Sequence, residues 1–137
     1  MKEPTFAPAY VGLFPILSEV AQKHGYALAV HGSVSRDFDL VAVPWIKDAS
    51  EAAALMIAIA NQIHISMGGR QGNMVPLSTP EQKPHGRLSW AMPISCGAMI
   101  DLSVMPCNRE LDRYRAMERR VLADLDLLEA ESSTRKG

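Results

Sequence analysis

Two aspartates stand at alternate positions inside an apolar run, Asp37-Phe38-Asp39-Leu40-Val41-Ala42-Val43, and a third, Asp101, sits inside another, Ala98-Met99-Ile100-Asp101-Leu102-Ser103-Val104. Aspartate is disfavoured in strands, so three of them in two strand-like segments call for a chemical reason. Side chains at i and i+2 of a strand project from the same face. Asp37 and Asp39 therefore point side by side, with Phe38 and Leu40 turned the other way. In the second run Ile100, Leu102 and Val104 share one face, and Asp101 and Ser103 the opposite one. If the two strands are neighbours, three carboxylates meet on one surface. That is the hard, anionic oxygen site that Mg²⁺ or Mn²⁺ prefers. The plainer reading has the same acids capping turns, or pairing with Arg36 and Arg87 on a solvated sheet face.

The rest of the chain supplies elements to carry these strands. Pro15, suited to a first helical turn, predicts a helix over about 15–24, with Leu17, Val20 and Ala21 inward, Phe14 near its entry and Gly25 as its stop. Residues 1–14 read as an irregular lead-in. Tyr26 to His31 reads as a buried strand leaving through Gly32-Ser33, with His31 able to line the site but more often, at such a position, a satisfied core residue. Asp48 and Glu51 resemble a capping box for a helix over about 49–66, ended by Gly68-Gly69. Residues 68–84 are rich in Gly, Pro, Gln and Ser and read as a flexible loop, with His85 and Arg87 at its end. Arg87 to Met92 and Ala98 to Val104 form two strands joined through Pro93 to Gly97. Asn108 starts a last helix reaching about Glu129, with Leu111, Tyr114, Val121, Leu125 and Leu128 in an apolar stripe that offers a surface for a second copy or another protein, although covering its own sheet is the simpler use. Residues 132–137 fray. Trp45 and Trp90 read as packing anchors.

This order predicts an α+β fold, a mixed sheet of about four strands with three helices packed on it, rather than a doubly wound parallel sheet. A length of 137 residues, an apolar fraction of 47% and a charged fraction of 21% fit one globular domain spanning 1–137. A net charge of −1 gives no strong nucleic-acid signal. The arginines of the last helix, Arg109, Arg113, Arg115, Arg119 and Arg120, alternate with acids and read as a salt-bridged face. No stretch is apolar enough to span a membrane, and Cys96 and Cys107 lack zinc spacing, which together predict a cytoplasmic protein with reduced thiols.

Gly32-Ser33, then Asp37-Phe38-Asp39 in one strand and Asp101 in a later one, resembles the signature of the nucleotidyltransferase superfamily, which includes DNA polymerase beta and small antibiotic-modifying enzymes. The resemblance covers about Tyr26 to Val104. It implies a Mg²⁺- or Mn²⁺-dependent enzyme that moves a nucleoside monophosphate from a nucleoside triphosphate to an acceptor. Gly32 and Ser33 would then contact the phosphates, Asp37 and Asp39 would bind the metals, and Asp101 would be ligand and base. Family members place a short helix between the Gly-Ser turn and the first aspartate, where this chain has only Val34, Ser35 and Arg36. Arg36 is the residue expected to make up the lost phosphate contact. The same shortening favours an alternative, a non-catalytic binding or assembly module of this fold. In either case a second copy or a partner protein could complete the cleft.

Overall fold

The computed structural model describes residues 5–69, 79–94 and 97–136. Residues 1–4, most of the expected loop (70–78), Ser95 and Cys96, and residue 137 lie outside the described residues. The architecture is α+β. Its elements are α1 (Ala7–Lys23), β1 (Tyr26–His31), β2 (Asp37–Pro44), α2 (Ala52–Ser66), β3 (Glu81–Gln82), a 3₁₀ turn (Pro84–Gly86), β4 (Leu88–Pro93), β5 (Met99–Val104) and α3 (Asn108–Arg135). The sheet has five strands in the order β1-β2-β5-β4-β3, one more than expected, because Glu81-Gln82 adds a short edge strand. The β2–β5 pair is parallel and the others are antiparallel.

One face of the sheet holds the core. Phe38, Leu40 and Ala42 of β2, Ile100, Leu102 and Val104 of β5, and Trp90 and Met92 of β4 are buried there. Tyr10, Leu13, Leu17 and Ala21 of α1 and Leu55, Ile59 and Ile63 of α2 pack against them. Removing so much apolar surface from water is the main stabilising term. Tyr26 closes the core near β1, its hydroxyl donating to the Ser50 carbonyl at 2.6 Å. Burial pushes its phenol well above the usual range, so it stays a neutral donor.

α1 starts eight residues before the expected position, so residues 7–14 are helix and not lead-in. Pro8 takes the first-turn role assigned to Pro15, and Pro15 lies inside the helix on its exposed side. Val11, whose carbonyl Pro15 cannot bond, is likewise an exposed residue, 65% accessible. Tyr10 and Leu13 extend the buried stripe of Leu17 and Ala21 backward, and this tertiary contact outweighs the proline signal.

The start of α2 also differs. Its N-cap is Glu51, with no capping bond from its own side chain, and the Asp48–Glu51 box does not form. The Ala52 N–H instead donates to Glu110 Oε1 at 2.9 Å, from a residue 58 positions away. The other oxygen of Glu110 accepts from Cys107 N–H at 3.0 Å, so one carboxylate caps α2 and the root of α3 together. Cys107 is buried beside it. Arg113 pairs with Glu51 across the same junction.

Beyond that root α3 is not packed on the sheet. It has no buried residue, its apolar stripe is exposed, and its helical hydrogen bonding continues through the expected frayed tail to Arg135. The apolar face of the sheet is already occupied by α1 and α2, and among the described residues none buries the stripe. Trp90 is buried as expected, whereas Trp45 is 80% exposed just after β2.

Candidate functional site

The open face of the sheet is where alternation sends the acids. In the parallel β2–β5 register Asp39 is the Cα partner of Asp101, and Asp37 is the partner of Met99. Paired positions share a face and neighbouring strands lie about 4.8 Å apart, so the backbone sets Asp39 and Asp101 side by side with Asp37 two residues further along. Asp37 is exposed, and Asp39 and Asp101 are half-buried.

Two further groups complete that row. His31 is the register partner of Asp39 on β1, and it is exposed and not a core residue. The alternation of β1, with Tyr26 and Leu28 buried and Ala27, Ala29 and His31 outward, is the sequence signal that identifies it. On the other flank the Ser89 hydroxyl donates to Asp101 Oδ1 at 2.9 Å, and the Arg87 guanidinium donates to the Ser103 hydroxyl at 3.0 Å. Ser89 and Ser103 are buried and partnered, so a polar ladder runs beside Asp101.

The turn between β1 and β2 brings backbone against this row. Gly32 has φ +80°, and a Cβ placed on it would lie 2.8 Å from Asp39 Oδ2. Glycine is required by both conformation and space. Val34 also has a positive φ, of 58°, a conformation that costs a β-branched residue roughly 1–3 kcal/mol. It is held because its side chain packs against the core. The turn is tied down from α1: the Thr5 hydroxyl and the Phe6 N–H both donate to the Ser35 carbonyl, at 3.1 and 3.2 Å. Tyr10, fully buried and stacked on Phe38, donates its hydroxyl to the Arg36 carbonyl and accepts the Met99 N–H at 3.1 Å. A single hydroxyl thus joins the N-terminal ends of β2 and β5, the two strands that carry the acids. Ser33 and Arg36 are exposed beside Gly32.

For a divalent cation the donor set is chemically suitable, being three carboxylates and hydroxyl oxygens on one face. Among the described residues, no group of three or more His, Cys, Asp or Glu side chains is placed to hold a metal ion. Asp101 is bonded on the β4 side, to Ser89, so the backbone juxtaposes the acids without their carboxylates being gathered. Rotation of Asp101 away from Ser89 is the movement that ion binding there would require.

Gly32→Ala is expected to lower stability by about 1–2 kcal/mol through left-handed strain and to push the Asp39 carboxylate aside. Mn²⁺ affinity, followed by electron paramagnetic resonance, should fall by about tenfold, the scale seen when the support of a ligand is disturbed. Unchanged affinity would separate the turn from the acids.

Beyond the acids, an open cleft of about 650 Å³ lies between the segment Gln82–Leu88 and the root of α3, lined among others by Lys83, His85, Arg87, Leu111, Tyr114 and Arg115. It sits toward the Val104 end of β5, where Leu88 pairs with Val104, whereas Asp39 and Asp101 lie nearer the strand's beginning. Among the described residues no helix is long and apolar enough to cross a membrane. No protein-family model matches the chain, and no curated protein or solved structure matches it either.

Proposed function

We propose that this chain is a nucleotidyltransferase-like enzyme that uses Mg²⁺ or Mn²⁺ to transfer a nucleoside monophosphate from a nucleoside triphosphate to a hydroxyl acceptor. The observation that carries this reading is the parallel register of Asp39 with Asp101, with Asp37 on the same open face and the Gly32 backbone laid against Asp39. Asp37, Asp39 and Asp101 would hold the cation, which supplies charge neutralisation for the phosphates when bound. Gly32 and Ser33 offer a close backbone approach and a hydroxyl to the phosphates, and Arg36 offers a cation from the same turn. Asp101, released from Ser89, accepts the proton of the acceptor hydroxyl. The acceptor oxygen bonds to the α-phosphorus, and the bond from that phosphorus to pyrophosphate breaks.

One observation favours a second reading, a binding or assembly module without catalysis. Residues 32–36 form a short irregular turn with no helix, so no helix N-terminus is aimed at a triphosphate from that position.

Thermal shift decides between them. The protein is heated with Mg²⁺ or Mn²⁺ alone and with each of the four nucleoside triphosphates. A ligand at 100 times its Kd stabilises the native state by about 2.7 kcal/mol, which raises Tm by several degrees. A shift with metal and nucleotide together supports the enzyme. A shift with metal alone supports the module, and no shift under any condition removes both.

A further inference from the structure

We infer that α3 is the arm of an antiparallel homodimer, with its apolar stripe packed on the same stripe of a second copy. The helix has 28 residues, about 42 Å at 1.5 Å per residue, and is pinned only at its root. Leu111, Tyr114, Val121, Leu125 and Leu128 recur at alternating intervals of three and four, the spacing of a two-helix seam, with Glu118 as the one polar interruption. Tyr114, Val121, Leu125 and Leu128 are 58, 53, 50 and 61% exposed. Nothing in the chain's own described structure covers them.

Charge selects the occupant and its direction. From Arg109 to Arg120 the helix carries five arginines and three acids, a net +2. From Val121 to Arg135 it carries Asp124, Asp126, Glu129 and Glu131 against Arg135 alone, a net −3. Parallel pairing sets like halves together, whereas antiparallel pairing sets each basic half against an acidic one. The seam agrees with this. Aligning Leu111 with Leu128 of the second copy also aligns Tyr114 with its Leu125, and it brings Arg115 near its Asp126.

The cleft at the root of α3 fits the same arrangement independently. Its walls combine Leu88, Leu111, Tyr114 and Met117 with the bases Lys83, Arg87 and Arg115, with His85, and with the acids Glu110 and Glu118. In the antiparallel alignment this largely apolar hollow, in which three bases outnumber two acids, receives Leu128 of the second copy, with Glu129 and Glu131 following at its rim. Each copy then seats the far end of the other's arm.

Sedimentation velocity on the full chain, from about 1 to 100 µM, should show twice the 15.0 kDa of one chain. Arg115→Glu or Asp126→Arg alone sets like charges against each other at two symmetric places and should weaken dimerisation on the order of tenfold. Both sites are on an exposed helix, so each variant should fold, which circular dichroism checks. Mixing the two variants restores opposite charges at both places, and dimer should return to the parent level in the mixture alone. A chain that stays at one copy throughout overturns the inference and leaves the stripe to another protein or to its own cleft. A dimer insensitive to either substitution, or not rescued by mixing, overturns the antiparallel arrangement.

Discussion

Asp39→Asn is expected to reduce the proposed Mg²⁺-dependent nucleotidyl transfer by about 10²- to 10³-fold, the consequence of losing several kcal/mol of charge stabilisation at the reacting phosphate. The melting temperature should hold or rise slightly. Asp39 is the central acid of the row, register-paired with both Asp101 and His31, and it carries no share of the apolar core, which lies on the opposite face. Asparagine keeps its shape and removes one of three clustered negative charges, so folding has little to lose. The readouts are radiolabelled nucleotide transfer and a thermal melt on the same preparation. Full activity in the variant would remove the acids from the chemistry, and an unfolded variant would make Asp39 a structural residue.

Tyr10→Ala should have the largest effect on stability, about 4–6 kcal/mol, combining loss of a buried ring with loss of two backbone hydrogen bonds. The ring is stacked on Phe38, with centroids 4.9 Å apart and planes inclined by 11°. Small domains are stable by roughly 5–15 kcal/mol, so this variant should be close to half unfolded in mild urea. Tyr10→Phe separates the two contributions, because it keeps the ring and leaves the Arg36 carbonyl and the Met99 N–H without their partner. Its expected cost is about 1–3 kcal/mol. It should also slow transfer disproportionately, since an ångström of drift between the two acid-bearing strands can cost about 10²-fold. Urea denaturation gives the first number and the ratio of kcat to parent gives the second. A Tyr10→Phe protein as stable and as active as the parent would show that the hydroxyl does not brace the strands.

What could be read from residue order follows the range of the interaction. Strand alternation is local, so Asp37, Asp39, Asp101, Ile100, Leu102 and Val104 could be assigned to faces without a structure, and the four main strands lie where their apolar runs stand. The parallel adjacency of β2 and β5 was the uncertain step, because no local signal states which strands are neighbours. His31 reads as core by the habit of strand-end histidines, although the alternation with Ala27 and Ala29 points it outward, to the site-lining alternative. Tyr10 was missed because Pro15 drew the helix start forward past it, and its worth depends on backbone groups 26 and 89 residues distant. The capping of α2 failed for the same reason, since its partner Glu110 belongs to another element. The stripe of α3 is legible as a face that wants cover, with its own sheet the simpler surface and a second copy or another protein the alternative, because a periodic pattern does not show which surface provides that cover.

Glu110 is attached by one oxygen to the first turn of α2 and by the other to the residue before α3. The bearing of a lever some 40 Å long is thereby fixed to the body of the molecule at its root, by Glu110 and by the Arg113–Glu51 pair beside it. A few degrees of rotation at that point displaces the far tip by several ångströms. Reach and aim of the arm are consequently decided where it is shortest, and whatever grips its tip can pull on the entrance of α2.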